Sequence, residues 1–249
     1  MRQERSQGKR ARSRHQVGTL FIVGVPIGHP DDVTIRALDT FRKVGLIATK
    51  SPRATQALLM HHGIDAVLTT YDRDNAVEKA PLLLDRLKQG TAVALVSDCG
   101  MPVVYDPGRL LITTASEAGI PIEIIPGPSA VVTAAAVAGL DGNAFVFEGR
   151  WAGGAGQITQ RLRSLQSESR TMIFFPPAQT LRRILRLISD ILGNRRIIMA
   201  INLTQKTQHI VRGRVRELLT GHPFQDETAQ VTLIVEGKKP TRKGLPKKG

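Results

Sequence analysis

Apolar residues along the chain come in short, often β-branched runs that alternate with stretches of helical periodicity. Residues 19–25 (TLFIVGV) carry no charge and read as a buried strand. A helix is expected over 31–43, with Val33, Ile35, Leu38 and Phe41 as its apolar positions and Asp31-Asp32 as its cap. A strand at 44–49, a helix at 53–62 and a short strand at 66–70 follow. Glu78 to Lys88 is amphipathic, with Leu82, Leu83 and Leu87 on one side. Residues 91–96 (TAVALV) form a strand without polar interruption, the pattern of a strand covered on both faces. A helix at 108–118 and a strand at 121–125 complete the first half. This alternation argues for a mostly parallel sheet with helices on both faces.

The second half varies the theme. Residues 129–138 read as a helix of small residues that permit close packing. Strands are expected at 144–148, 171–175, 197–201, 209–212 and 230–235, and helices at 158–167 and 178–192. Ala152–Gly156 (AGGAG) reads as a flexible loop. A boundary near residue 126 divides the folded chain into two α/β domains, 17–125 and 126–237. No internal repeat of fixed period is present.

Composition adds limits. At 249 residues, with 41% hydrophobic and 22% charged residues, the chain can build a sizeable core without covalent staples. The single cysteine, Cys99, excludes an internal disulfide and any cysteine-based zinc site. His61 and His62 are adjacent rather than four apart, and read as ordinary surface beside the Gly63 helix stop, so no metal site is expected.

Charge is unevenly placed. Residues 1–16 hold six Arg or Lys against Glu4, and residues 238–249 hold six with no acid, so most of the net charge of +14 lies in the tails. Both tails are too polar to pack and are expected to be disordered. Nucleic acid is the expected partner, since every phosphate neutralised releases counterions; the plain alternative is a solvated tail. The N-terminus has no apolar segment fit for a signal peptide, and 19–25 is too short to span a membrane. Residues 1–16 mimic a transit peptide in composition, but the cytoplasm is the expected compartment, with no membrane association.

Three Gly/Pro-rich loops follow expected strands: Gly24-Val25-Pro26-Ile27-Gly28, then Ser97-Asp98-Cys99-Gly100-Met101-Pro102 continuing to Asp106-Pro107-Gly108, then Pro126-Gly127-Pro128-Ser129. Ligands of parallel sheets bind beyond the carboxyl ends of strands. Glycine lets backbone approach a ligand, and proline fixes a loop's shape. Each loop alone could be an ordinary turn; three together, with Asp98 just after a buried strand, point to a binding site. There is no GxGxxG after the first strand and no Gly-Lys-Ser/Thr phosphate loop, which disfavours a Rossmann dehydrogenase, a P-loop enzyme and an ordinary Rossmann methyltransferase.

The succession GTLFIVGVPIG, VALVSDCGMPVVYDPG, IPGPSA and FVFEG resembles the tetrapyrrole methylase family, and within it is similar to the ribosomal RNA small subunit methyltransferase I branch. The likeness runs from about Gly18 to Glu236. It implies two α/β domains, the N-terminal sheet mostly parallel and the C-terminal one mixed. It implies S-adenosylmethionine in the cleft between them, a homodimer, and 2′-O-methylation of a cytidine ribose in small-subunit rRNA. By motif position, Pro26, Gly28, Asp98, Cys99, Gly100, Met101, Pro102, Pro126, Gly127, Pro128, Ser129 and Glu148 are the expected cofactor-binding residues, and Lys50, Arg53 and Asn202 the expected substrate-binding ones.

The chain departs from the branch where Ala-Glu-Asp-Thr-Arg is replaced by Thr49-Lys50-Ser51-Pro52-Arg53. It departs again at Phe175-Pro176-Pro177-Ala178-Gln179-Thr180, and at Ile201-Asn202-Leu203-Thr204-Gln205, which replaces Arg-Glu-Leu-Thr-Lys. Three family acids are thereby lost and a lysine gained, so the site is expected to be more positive and to favour phosphate-bearing ligands. A ribose hydroxyl benefits from a general base. The remaining acids at motif positions, Asp98, Asp106 and Glu148, do not identify one. A methylase of a small tetrapyrrole precursor and a catalytically impaired relative that binds cofactor and RNA stand as alternatives.

Overall fold

The computed structural model describes residues 17–151, 153–221 and 226–239. The basic tails lie outside the described residues, Lys238 and Lys239 excepted. The chain divides into two compact units. One comprises residues up to Val23 with Ile35–Asp98 and Asp106–Ile125; the other comprises Gly24–Thr34, Cys99–Tyr105 and the chain from Pro126 onward.

The first unit is built on five parallel strands, β1 (Leu20–Val23), β2 (Leu46–Thr49), β3 (Leu68–Thr70), β4 (Val93–Val96) and β5 (Ile122–Ile125), in the order β3-β2-β4-β1-β5. All four residues of β4 are buried, as its uninterrupted apolar run requires of a central strand. Helices α1 (Ile35–Lys43), α2 (Pro52–His61), α3 (Ala76–Lys88) and α4 (Arg109–Glu117) connect the strands. Leu83, Leu84 and Leu87 of α3 and Leu111 and Ala115 of α4 join Leu20, Val93 and Leu95 in one core. Gly108, at the N-cap of α4, has no side chain to satisfy the helix's first amides. The fully buried Tyr71 supplies the acceptor: Leu111 N–H donates to its hydroxyl at 3.2 Å.

The second unit carries a mixed sheet, β6-β7-β10-β8-β9, formed by β6 (Phe145–Arg150), β7 (Thr171–Phe175), β8 (Arg196–Ile201), β9 (His209–Arg214) and β10 (Val231–Val235). β6 and β7 are parallel; the other pairs are antiparallel. Helix α5 (Ala130–Ala138) packs on one face with Ile27, Ile198 and Ile234. Helices α6 (Ala155–Ser164), α7 (Leu181–Leu192) and α8 (Val215–Thr220) cover the other, around Leu162, Phe174, Ile184, Ile188 and Leu233.

The element pattern matches the sequence expectation, with corrections in particulars. Leu82 and Ile35, expected on apolar faces, are exposed, and Leu84 joins Leu83 and Leu87 on the buried face of α3. Asp31-Asp32 do not cap α1. They belong to a 3-10 turn, Pro30–Asp32, capped by His29, and α1 starts only at Ile35. The AGGAG segment is not wholly a loop, because Gly154 is an N-cap and Ala155 and Gly156 form the first turn of α6. Burial of Ile158 and Leu162 outweighs the roughly 1 kcal/mol that one glycine costs in a helix. α8 was not expected; its signal is short, Val215 and Leu218 three apart before Gly221. His61 ends α2, and its ring meets that of His62 edge-on at 4.7 Å. No helix among the described residues is long and apolar enough to cross a membrane.

Candidate functional site

β4, β1 and β5 are neighbours, and the chain leaves the carboxyl end of each into one of the three Gly/Pro loops. Within the second unit these loops are joined backbone to backbone. Val25 and Gly100 exchange a pair of hydrogen bonds, Val25 N–H to Gly100 O at 3.0 Å and Gly100 N–H to Val25 O at 3.1 Å. A Cβ on Gly24 would lie 2.6 Å from the Gly127 nitrogen and 2.6 Å from the Met101 sulfur, and one on Gly127 would lie 2.7 Å from the Gly24 carbonyl carbon. No side chain fits there, so glycine at 24 and 127 is what lets the first and third loops touch.

Gly28 serves a different contact. A Cβ there would collide with Leu203 O and lie 2.5 Å from Thr204 Oγ1, and His29 N–H donates to Thr204 Oγ1 at 2.8 Å. The first loop is thus anchored on the turn between β8 and β9, a segment that the sequence pattern does not connect with it. Pro26, Gly100 and Pro102 are buried in the junction, while Cys99 and Pro126 are exposed. Gly127, Pro128 and Ser129 are half-buried, leading into α5.

The second loop is strained. Val103 (φ 72°) and Tyr105 (φ 68°) both adopt left-handed backbone, which a β-branched residue strongly disfavours. Such conformations cost about 1–3 kcal/mol each and persist only where the surroundings impose them.

In the first unit, Lys50, one residue beyond β2, reaches Asp98 Oδ2 at 3.3 Å and Asp106 Oδ1 at 3.4 Å. Burial of the ammonium acts to lower its pKa, but the combined pull of Asp106 and Asp98 prevails and leaves it raised. Burial raises the Asp106 carboxyl above its ordinary value, while the attraction of Lys50, with a smaller one from Arg73, partly offsets the shift. The positive charge gained at Lys50 is therefore paired with two carboxylates of the second loop's stems. Asp106 was only one acid among several in the sequence; that it shares Lys50 with Asp98 is not visible without the fold.

The other replaced positions have local structural duties. Ser51 caps α2, its Oγ accepting from Ala54 N–H at 3.4 Å, with Pro52 at the first helical position. Asn202 is buried at φ 49°; its Nδ2 donates to Thr207 Oγ1 at 3.0 Å, and its Oδ1 accepts from Gln230 N–H at 2.8 Å. Arg53 is exposed in the first turn of α2. Glu148 of β6 takes two hydrogen bonds from Arg161 of α6, at 2.5 and 2.7 Å, and its side chain is 4% exposed. The structure thus brings Pro26, Gly100, Met101, Gly127 and Pro128 together, and Lys50 with Asp98. Asn202 and Glu148 instead close contacts within their own surroundings.

A separate cavity of about 570 Å³ in the first unit is lined by Thr19, Phe21, Arg36, Lys43, Ala92 and Glu123 among others, and takes in none of the loop residues. Arg36 crosses it to Glu123 at 3.5 Å.

The sequence profile of the family described as Tetrapyrrole (Corrin/Porphyrin) Methylases matches residues 19–219. A Thermotoga maritima protein named Ribosomal RNA small subunit methyltransferase I is 38% identical over 222 residues, covering 89% of this chain and 100% of that one. A protein of the same name from Escherichia coli O157:H7 is 39% identical over 233 residues, 92% of this chain and 81% of that one. Among solved structures, the methyltransferase CobJ aligns with a TM-score of 0.68 at 23% identity, over 91% of this chain and 97% of that one. The cobalt precorrin-4 methyltransferase CbiF aligns at 0.66 and 20%, over 91% and 97%. At these identities the two structures speak to the fold.

Proposed function

The chain belongs to the tetrapyrrole methylase family, and on that premise we propose that it transfers a methyl group from S-adenosylmethionine to small-subunit ribosomal RNA, at the ribose 2′-oxygen of a cytidine. It is a methyltransferase by family. The observation that carries the reading is the backbone junction of the three loops, because the motifs that resemble the rRNA methyltransferase branch fall on it.

The junction suits the cofactor. Gly100 has φ +73°, and a Cβ there would meet only Ile27 Cγ2 at 3.6 Å and Pro128 O at 3.7 Å, so the glycine leaves a methyl-sized cradle between the Ile27 side chain and the Pro128 carbonyl. Pro26, Gly28, Cys99, Gly100, Met101, Pro102 and Pro126–Ser129 are the residues we assign to holding it, with Asp98 leading into the second loop. When bound, adenosylmethionine supplies an electrophilic methyl whose leaving group is a neutral thioether. The protein's part is then to orient the reactants and exclude water. The hydrogen-bonded Val25–Gly100 pair and the Gly24–Gly127 contact suit that part, since they leave the loops little freedom to lose on binding.

Of the expected substrate-binding residues, Arg53 is the one we assign to an RNA phosphate: it is exposed, whereas Lys50 is held by acids and Asn202 is closed by hydrogen bonds. The basic tails add salt-sensitive affinity without base specificity. We place the protein in the cytoplasm as a homodimer; Ile122 and Ile124, 38% and 57% exposed on the edge strand β5, support association. A small tetrapyrrole precursor as substrate leaves the tails unexplained. The test is to supply labelled adenosylmethionine and small ribosomal subunits lacking the modification, then locate the label by nucleoside mass spectrometry. Label on a cytidine ribose is expected. Label on a base, or none with measured cofactor binding, overturns the proposal.

A further inference from the structure

Helix α7 has two distinct faces. Leu181, Ile184, Leu185, Ile188 and Leu192 are buried against the sheet, and the helix packs against α6 and α8. Its outer face presents Arg182, Arg183 and Arg186, all exposed. Arg186 lies four residues from Arg182 and three from Arg183, so the three guanidiniums share one patch of helix surface.

Five other arginines of this unit are engaged through their side chains by described residues, while Arg150, Arg163, Arg196 and Arg216, which lie on separate elements, are not. Arg161 pairs with Glu148 and Arg170 with Glu168, Arg212 donates to Val137 O and Arg214 to Asn194 O, and Arg195 donates to the carbonyls of Leu192, Glu236 and Gln166. Arg182, Arg183 and Arg186 make no ion pair or side-chain hydrogen bond with another described residue. Asp190, the one acid of the helix, stands four residues beyond Arg186 and makes no ion pair with it. Nor does helix stability account for their placement. Arg182 and Arg183 fall in the first turn, where the macrodipole disfavours cations and a carboxylate would be stabilising, and that turn contains no acid. Mutual repulsion adds to the cost.

We propose that the outer face of α7 is a docking surface for the sugar–phosphate backbone of the RNA substrate. The guanidinium fork matches phosphate oxygens two at a time, and a rigid helix presents the three forks in fixed register. Contacts of this kind position the substrate and carry no sequence information, so the surface sets affinity and orientation while selectivity resides elsewhere. The proposal rests on the RNA reading given above and adds to it the surface that engages the substrate.

The experiment uses the full chain and small-subunit rRNA, with binding measured across a series of potassium chloride concentrations. Adenosylmethionine affinity is measured in parallel. In the triple variant Arg182→Glu, Arg183→Glu, Arg186→Glu, RNA affinity at fixed salt is expected to fall at least tenfold. The slope of log affinity against log salt should become shallower by about 2, at roughly 0.7–0.9 for each phosphate no longer neutralised. Cofactor affinity and melting temperature should stay unchanged. A companion triple of glutamines at the same positions guards against misfolding caused by the reversed charges, and is expected to show the shallower slope too. A control reversal on the first unit, Lys43→Glu with Arg86→Glu and Lys88→Glu, makes the same change in net charge and is expected to weaken binding less than threefold. Equal losses in the α7 and control triples overturn the surface, because net charge alone would then explain them. An unchanged slope in the α7 variants overturns it as well. A wild-type protein that binds cofactor but no RNA overturns the RNA reading itself, and the docking surface with it.

Discussion

The Lys50 ammonium lies 3.3 Å from the Asp98 carboxylate, and the same nitrogen lies 3.4 Å from Asp106. β2 and β4 are adjacent and in register at Thr49 and Val96, so residues just beyond the two strand ends emerge side by side. Asp98 and Asp106 bracket residues 99–105, the segment with Gly100 and the strained Val103 and Tyr105. One ammonium therefore ties both stems of that loop. Where the resemblance to the rRNA methyltransferase branch implies a glutamate, this chain has a tether.

Replacing Lys50 by Met should release the tether. Lys50 and Asp98 are 44% and 35% exposed, so the stability loss is expected to be small, about 1 kcal/mol or less. The carboxyl of Asp106, already raised by burial, loses its main compensating attraction and should titrate higher still. A folded-state pKa above the ordinary 3.8 means that the native protein binds this proton more tightly than the unfolded chain does. Asp106's contribution to stability is thus fully present below that ordinary value and is lost as pH rises through the folded pKa. Lys50→Met should extend this loss to higher pH, read by carboxyl NMR titration alongside urea unfolding. An Asp106 titration unmoved by the substitution would mean that the ion pair is not populated in solution.

The loop glycines should separate by mechanism. Gly24→Ala drives a methyl onto the Gly127 backbone, and should lose about 1–3 kcal/mol, the usual range for overpacking, together with the loop junction. Gly100→Ala meets no close atom but must hold a Cβ at φ +73°, which costs roughly 1–2 kcal/mol. The alanine methyl would occupy the cradle assigned to the cofactor. Calorimetry on Gly100→Ala should therefore show adenosylmethionine affinity reduced at least tenfold in a protein that still melts cooperatively. Wild-type affinity in that variant would take Gly100 out of the cofactor site.

Much of this was legible in the sequence, for physical reasons. Buried parallel strands announce themselves as uninterrupted apolar runs, as 93–96 does, and glycines and prolines after such runs mark loops that approach something closely. What each glycine approaches was not legible. Gly24 and Gly127 meet one another, and Gly28 meets the turn at 203–205, contacts between residues about 100 and 175 positions apart that no local pattern encodes. The role of Asn202 was hidden for a related reason: a left-handed, doubly hydrogen-bonded asparagine in a hairpin turn reads as a lost acid until the turn is seen. α8 escaped because six residues give barely two positions of periodicity.

Glu148 offers a sharper test of a motif residue. Both of its oxygens take hydrogen bonds from the Arg161 guanidinium, and its side chain is nearly inaccessible. Glu148→Gln breaks a charge-assisted pair that joins β6 to α6, and should cost about 1.5–3 kcal/mol in denaturant unfolding. With the carboxylate engaged by Arg161, cofactor affinity should move less than threefold. A loss of affinity with stability preserved would return Glu148 to the cofactor.

Introducing the acids that the resemblance implies at 50, 51 and 202 should fail, and the three positions should fail differently. Ser51→Asp is expected to be nearly silent, since aspartate caps a helix about as well as serine does. Lys50→Glu puts a third carboxylate where Asp98 and Asp106 already converge, so stability should fall and the Asp106 carboxyl, already raised, should titrate higher. Asn202→Glu is the most damaging. Residue 202 is 7% exposed and left-handed, its amide nitrogen serves Thr207 and its oxygen serves Gln230, and a longer charged side chain can satisfy neither geometry. Leaving buried polar partners unpaired costs about 1–3 kcal/mol, and burying an uncompensated carboxylate costs more. The combined variant should therefore melt well below wild type and transfer less methyl to small ribosomal subunits. Reversion of position 202 alone should recover most of the lost stability. If the combined variant instead melts like wild type and methylates faster, the substitutions at 50, 51 and 202 are catalytic losses, and the structural roles assigned to these three residues are wrong.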